Sequence, residues 1–298
     1  MEIRVLQYFL TVAREGNITK AAEVLHITQP TLSRQLAQLE EEVGVRLFVR
    51  GKRTITLTNE GILLRRRAEE IVSLVDKTAG ELLEQEKQLA GTICFGCGEL
   101  TAMQELTEII VAFHKKYPLV TFDLFTGTAD VVQERMERGL IDIGLMMEPI
   151  NVDKFVFVRL SGLERWGVVM RADDPLARQE KVKAVDLLDA PVTFATRFRN
   201  SADLKSWFGE NYDKLQMVFT SNLPTNAALM VYNGLGRSLS VQGVKYFWDT
   251  AKLAFRPLDP PVEGHVALFW RKEQPLSLTV NRFLEFAKCF LSMGKTRK

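Results

Sequence analysis

Along the first 90 residues the apolar positions fall mostly three or four apart. Leu6, Phe9, Leu10 and Ala13 share one helical face, and Gly16 supplies a stop. Asn17 is placed to cap a second short helix, Ile18 to Leu25. After the turn at His26 and Ile27, Thr28 is placed to cap a third helix, with Pro30 in its first turn, where a missing N–H costs little. Leu32, Leu36, Leu39 and Val43 stripe that helix as far as Gly44. Three short helices, the last two joined by a tight turn, predict a helix-turn-helix. The period then shortens: "VRLFVR" and "TITLT", within residues 45–58, alternate about Gly51-Lys52 and predict a small hairpin, or wing. Thr58 is placed to cap a long helix from Asn59 to about Leu89, in which Leu64, Ala68, Ile71, Val75, Ala79 and Leu82 form a coiled-coil-like seam. Such a helix buries its stripe against a second copy or packs on its own domain. The first reading makes Leu64, Ala68, Ile71, Val75 and Leu82 dimerisation residues.

From Gly91 the texture is different. "TICF" predicts a buried strand, Thr101 to Lys116 a helix, "LVTFDLF" a strand, "DVVQERMERG" a helix ended by Gly139, and "LIDIGLM" another strand. This βαβαβ pattern predicts a parallel sheet with helices on its faces. A second round starts near "GVVMRADDPLA" and continues through "PVTFAT", a helix from about Asp203, "KLQMVF", a helix over Asn226 to Tyr232, and "GRSLS". "HVALFWRK" is again a strand, and Ser277 to about Phe290 a helix. Two similar α/β lobes with crossing connections are expected.

Composition bounds the reading. The chain has 298 residues, 46% hydrophobic and 26% charged, with a formal charge of only +2. Any nucleic-acid role must therefore rest on local charge. Three cysteines do not make a disulfide framework and fit a reducing compartment. Arg4, Arg14, Glu15 and Lys20 interrupt every apolar run near the start, so no signal peptide is expected. No stretch approaches the ~20 apolar residues of a membrane helix. The expectation is a soluble cytoplasmic protein with no membrane partner.

That restriction directs attention to "TQPTLSRQLAQLE", residues 28–40. Beside its leucine stripe, Thr31, Ser33, Arg34, Gln35 and Gln38 supply only hydrogen-bonding side chains. The second helix of a helix-turn-helix must pack on one side and present donors and acceptors to the major groove on the other. Arg prefers guanine O6/N7, Gln prefers adenine N6/N7, and Ser or Thr serves base or phosphate. Alone, such a helix reads as an ordinary surface helix. Its surroundings argue otherwise: over residues 46–67, Arg46, Arg50, Lys52, Arg53, Arg65, Arg66 and Arg67 stand against Glu60 alone. Phosphate contact needs such a patch, although part of Arg65–Arg67 will be merely solvated on the long helix.

The motif "AA..L.ITQP.LSRQ...LE...G..LF.R", followed by "LT..G", resembles the N-terminal winged helix-turn-helix of LysR-type transcriptional regulators. The resemblance extends along the whole chain, with an effector domain beginning at "GTICFG" and second-lobe segments at "PVTFATRFRNS" and "VYNGLGRSLS". It implies an α/β multidomain fold: an N-terminal winged helix-turn-helix over residues 1–58, a long linker helix over 59–89, and a two-lobed, periplasmic-binding-protein-like effector domain over 90–298. Lobe I would take about 90–160 and 266–298, and lobe II about 161–265. It implies that Ile18 to Ala37 is the DNA-binding motif, that Gln29, Pro30, Thr31, Ser33 and Arg34 meet DNA, and that Arg50, Lys52 and Arg53 hold its backbone through the wing. Thr28, Gln35 and Gln38 complete the DNA-binding candidates. The implied partners are double-stranded promoter DNA, a second copy in a homodimer and then a homotetramer, a small-molecule effector between the lobes, and RNA polymerase. The implied place is the nucleoid, and the only small molecule expected is a co-inducer, with no resident cofactor.

In open α/β sheets ligands bind beyond the C-terminal ends of strands. Two such ends are "GCGELT", Gly96 to Thr101, and "TGT", Thr126 to Thr128; "ATRFRNS" brings Arg197 and Arg199 from the other lobe. A cleft lined by Gly98, Leu100, Thr101, Gly127, Thr128 and Arg197 suits a small carboxylate clamped by Arg. Glu99 is discordant, because facing inward it favours a cationic or polyhydroxyl effector; both remain open. Cys94 and Cys97 spell C-x-x-C, but residues three apart in a strand point to opposite faces, so a core role is expected and no metal. His26, His114 and His265 are scattered and read as structural. A solute-binding protein would lack an export signal and leave residues 1–89 unexplained. An enzyme would need a Ser-His-Asp, metal or phosphate-loop constellation, which the sequence does not present, so no catalytic residue is assigned.

Overall fold

The structure, a computed structural model, describes residues 1–50, 55–83, 89–196 and 202–295. By its contacts the chain divides into two compact units, Met1–Leu83 and Glu84–Lys298.

The first unit is built from α1 (Ile3–Glu15), α2 (Ile18–Val24), α3 (Gln29–Val43), the hairpin β1 (Phe48–Arg50) and β2 (Ile55–Leu57), and α4 (Asn59–Leu83). The helix boundaries follow local chemistry. Asn17 accepts from the Lys20 amide, and Thr28 accepts from the Thr31 amide at 3.4 Å. Gly16 and Gly44 end α1 and α3 in the left-handed conformation that glycine adopts without strain. Phe9, Val12, Leu32, Leu36, Leu39 and Ala68 meet in one core, and the Phe9 ring lies 5.2 Å from that of Phe48. Gly61 is fixed by packing: a Cβ there would fall 2.1 Å from the Leu47 carbonyl oxygen.

The wing is held by a group that the pattern hid. Glu40, only 6% exposed, accepts from the amides of Leu47 at 2.7 Å and Phe48 at 3.2 Å, and Arg46 pairs with its other oxygen at 3.5 Å. The hydroxyl of Thr58 donates to the Arg46 carbonyl and accepts from the Gly61 amide, so the expected cap of α4 also ties β2 to the chain before β1.

α4 departs from the expectation in two ways. It is assigned to Leu83; the expected continuation falls on residues 84–88, outside the described residues, and Leu89 is no longer helical but packs on the core of the second unit. The seam also divides. Ala68 is fully buried in the first unit's own core, with Leu64 and Val72 packed beside it, so Ala68 is not a free dimerisation residue. Besides Ile62 near the start of the helix, Leu63, Ile71 and Leu74 are left outward, at 54%, 37% and 41% exposure. Leu63, Ile71 and Leu74 share one side, about a quarter turn from the buried stripe. Val75 is half-buried, and the side chain of Leu82 lies outside the described ones.

In chain order the second unit runs β3 (Gly91–Cys97), α5 (Met103–Lys116), β4 (Val120–Thr126), α6 (Ala129–Glu137), β5 (Ile143–Met147), β6 (Phe155–Arg171), β7 (Val192–Ala195), α7 (Ala202–Phe208), β8 (Met217–Ser221), α8 (Pro224–Tyr232), β9 (Arg237–Val241), β10 (Leu253–Pro257), β11 (Glu263–Arg271) and α9 (Leu278–Lys295), with short 3-10 turns between. The strand order is β4-β3-β5-β11-β6-β9-β7-β8, with β10 also on β6. Pairings among β3, β4 and β5 and among β7, β8 and β9 are parallel, whereas those of β6, β10 and β11 are antiparallel. The antiparallel part departs from the wholly parallel expectation, because β6 is one strand serving both lobes. Up to Arg165 it pairs with β11; from Trp166 onward it pairs with β9 and β10. The cores follow: Phe95, Phe113 and Phe283 stack edge to face in the first lobe, and Phe194 meets Phe208 in the second.

Candidate functional site

Two sets of residues have the geometry of sites. The first is the outer side of α3. Leu32, Leu36 and Leu39 are at most 1% exposed, so the helix is locked in rotation about its axis. That lock turns Thr28, Gln29, Pro30, Thr31, Arg34 and Gln38 outward, with Ser33 and Gln35 half-buried at the margin. Gln35 donates to Gln38 at 3.2 Å, and the hydroxyls of Thr28 and Thr31 lie 2.8 Å apart, so the polar side chains brace one another. Arg34 pairs with no carboxylate among the described residues. Arg65 and Arg67, by contrast, are occupied by Glu69 and Glu70 on their own helix, while Arg66 has no such partner among the described residues. Lys52 and Arg53 lie outside the described residues, as does the side chain of Arg50.

The second set lines a cleft between the two lobes of the second unit. Gly98, Glu99 and Leu100 come from the loop after β3, and Gly127 and Thr128 from the end of β4. Met146 and Met147 come from β5, Trp166 from β6, Ala195 from β7, Asn222 and Leu223 from the loop after β8, Pro224 from the start of α8, and Ser240 and Val241 from β9. Strand ends from both lobes thus converge, as expected of open α/β sheets. Gly98, Glu99, Leu100, Gly127 and Thr128 are brought together. Arg197 lies outside the described residues.

Thr101 is a correction. It does not line this cleft: its amide and hydroxyl donate to Glu164 at 2.6 and 3.1 Å. Loop residues have no period, so the sequence carried no signal for this turn. Glu164, fully buried on β6, also accepts from the Gly243 amide at 2.8 Å. One carboxylate therefore ties the loop after β3 to the loop after β9, beside the point where β6 passes from one lobe to the other. Gly243 permits the approach, since a Cβ there would fall 2.2 Å from the Thr101 nitrogen.

Burial pushes the Glu164 carboxyl above the ordinary range, against the opposing pull of the amides and hydroxyl that bond it. An acid raised in this way keeps its proton longer in the fold than in the unfolded chain. Its contribution to stability is therefore present at low pH and is lost as pH rises from about 4.5, the unfolded value, through the folded one. Urea melts of the effector unit should show a falling midpoint across that window in the parent and a flatter one in Glu164→Gln. Equal slopes in both proteins would contradict this assignment.

Cys94 and Cys97 both lie on β3 and neither forms a disulfide; burial pushes the Cys97 thiol up, away from the reactive thiolate. Among the described residues no group of three or more His, Cys, Asp or Glu side chains could hold a metal. His114 is satisfied by the Val120 carbonyl at 3.0 Å.

Comparison with known proteins adds to this geometry. Residues 3–62 match the model of the bacterial regulatory helix-turn-helix protein, lysR family, and residues 86–292 match that of the LysR substrate binding domain. The Hca operon transcriptional activator HcaR of Escherichia coli (strain K12) is 30% identical over 280 residues, 91% of this chain and 92% of its own length. The uncharacterized HTH-type transcriptional regulator YwbI of Bacillus subtilis (strain 168) is 31% identical over 306 residues, 98% of this chain and 97% of its own. Among solved structures, full-length CbnR complexed with its target DNA aligns with a TM-score of 0.73 at 22% identity, over 97% of this chain and 100% of that one. That likeness is one of fold.

Proposed function

The chain belongs to the LysR family of DNA-binding transcriptional regulators, and from that premise we propose how its own residues divide the work. α3 enters the major groove; Arg34, Gln29 and Gln38 read base edges, and Thr28, Thr31 and Ser33 fix the register on phosphate and sugar. Arg50, Lys52 and Arg53 of the wing hold the flanking backbone. One observation carries this reading: α3 is locked by three buried leucines while its opposite side offers exposed donors and an Arg34 with no carboxylate partner among the described residues. A footprint on the protein's own promoter region should show two protected half-sites about one helical turn, ~34 Å, apart. A single protected site, or uniform protection at all sequences, would contradict the paired reading head.

Pairing falls to α4. Leu63, Ile71 and Leu74 are apolar and outward on one helix, which supports a helix-to-helix contact with a second copy. The double variant Ile71→Glu/Leu74→Glu should raise the dimer dissociation constant by about two orders of magnitude in sedimentation experiments, because each dimer would bury four unpaired charges. An unchanged oligomer would move the interface elsewhere.

The cleft between the lobes is the receptor for a small-molecule co-inducer. A ligand shifts DNA binding only by its differential affinity for two arrangements of the assembly. Moving the balance from 1:99 to 99:1 takes about 5.5 kcal/mol, which several cleft sites in one oligomer supply more easily than one. Among the described residues no helix is long and apolar enough to cross a membrane.

A further inference from the structure

Resting on the reading of the cleft as the effector site, we infer that this chain's effector is a small amine, a cation with an apolar body, rather than a carboxylate. Glu99 is the one charged side chain among the described residues that line the cleft. Its Oε2 accepts from the Thr225 amide at 3.0 Å, in the first turn of α8. The positive end of that helix, which would otherwise favour an anionic ligand, is thus already filled by the chain's own carboxylate. The first turn of α6, at the opposite wall, carries Asp130. An incoming carboxylate meets like charge at Glu99 and finds the α8 end already occupied.

The remaining polar groups fit a donor. Oε1 of Glu99 has no hydrogen-bond partner among the described residues, and the hydroxyl of Thr128 makes no cap bond to its own helix. Ser240, 3% exposed, has a buried Oγ with no hydrogen-bond partner among the described residues. An ammonium carries three donors and accepts nothing. Glu99 takes one of them in a charge-assisted bond, and the oxygens of Thr128, Asn222 and Ser240 are the available acceptors for the others. Trp166 and Met146 supply wall for the apolar body, suited to a ring by sulfur and aromatic contact.

The test uses the full-length protein and matched triplets in which one carbon skeleton carries an amine, an alcohol or a carboxylate, such as 2-phenylethylamine, 2-phenylethanol and phenylacetate, with aliphatic sets of four to ten carbons as well. Thermal shift and titration calorimetry should rank the amine above the alcohol by about tenfold or more in affinity, with the carboxylate last. Glu99→Gln keeps an oxygen for the Thr225 amide, so it should lower amine affinity about tenfold and leave the alcohol within about threefold. Ser240→Ala should lower amine affinity by a smaller factor and provides a second readout. Carboxylates ranking first, or amine affinity unchanged in Glu99→Gln, would overturn the amine assignment while leaving the cleft as the effector site. Failure of every triplet to bind would overturn both.

Discussion

Replacing Arg34 by alanine should cost the regulator between about 30-fold and 10⁴-fold in operator affinity while leaving its fold intact. The range follows from a bidentate guanidinium contact, about 1–3 kcal/mol per base, counted once in each half of a paired site. The fold should survive because Arg34 is exposed on α3 and pairs with no carboxylate among the described residues, while Leu32 and Leu36 on either side keep the helix packed. Arg34→Lys should recover part of the phosphate-like attraction but not base discrimination, because an ammonium cannot form the two parallel bonds. Anisotropy titrations on operator and on base-substituted operators give both quantities. An alanine variant with parental affinity and parental preference at every base would remove Arg34 from the reading surface.

Replacing Arg237 by alanine should destabilise the effector unit by about 3 kcal/mol, the low end of the cost of breaking a buried pair. The side chain is 5% exposed on β9. Its Nε and Nη2 donate to the two oxygens of Asp174 at 2.9 and 3.1 Å, and its Nη1 donates to Asp189 at 2.5 Å and to the Asp186 carbonyl at 2.8 Å. One guanidinium therefore binds β9 to the two 3-10 turns before β7, and Asp174 itself caps the first of them. Asp189 is 69% exposed and contributes little. Asp174, 16% exposed, would be left half-buried without its cation. For a unit of this size the melting temperature should fall by about 6–12 °C. Arg237→Ala combined with Asp174→Asn should regain part of that loss, since the stranded charge is the larger cost. A single variant that melts with the parent would show the pair to be dispensable.

The two effects belong to different classes of residue, and the classes differ in how far sequence reveals them. α1 to α3 were legible because capping residues, glycine stops and a leucine stripe all pointed to the same boundaries. The parallel strands of both lobes were legible from short apolar runs set between helical stretches. The unbroken span of β6 was not, because half of it reads "RLSGLER", without steady alternation. Buried charge was the other blind spot. Glu40 sits on the apolar phase of α3, four residues after Leu36, so its position was a usable signal; the adjacent Glu41 and Glu42 disguised it. Glu164, Asp174 and Arg237 gave no such sign, since their partners lie 48 to 79 residues away. On α4 the spacing gave a helix that the structure carries to Leu83, but the seam mixed two faces, because a three-to-four repeat does not say which neighbour buries it; Ala68 proved internal and Ile71 external. Strand ends pointed to the cleft, while the turn of Thr101 toward Glu164 and of Glu99 toward α8 depended on contacts between lobes.

The most direct test is an anisotropy titration of the purified full-length protein against a duplex from its own promoter region and a scrambled duplex of equal length, at about 0.15 M salt. A reader of base edges should prefer the promoter duplex by at least about 10³-fold. Equal affinities for the two duplexes, falling together as salt is raised, would mean that the first unit grips only phosphate, and the account built on α3 would fail.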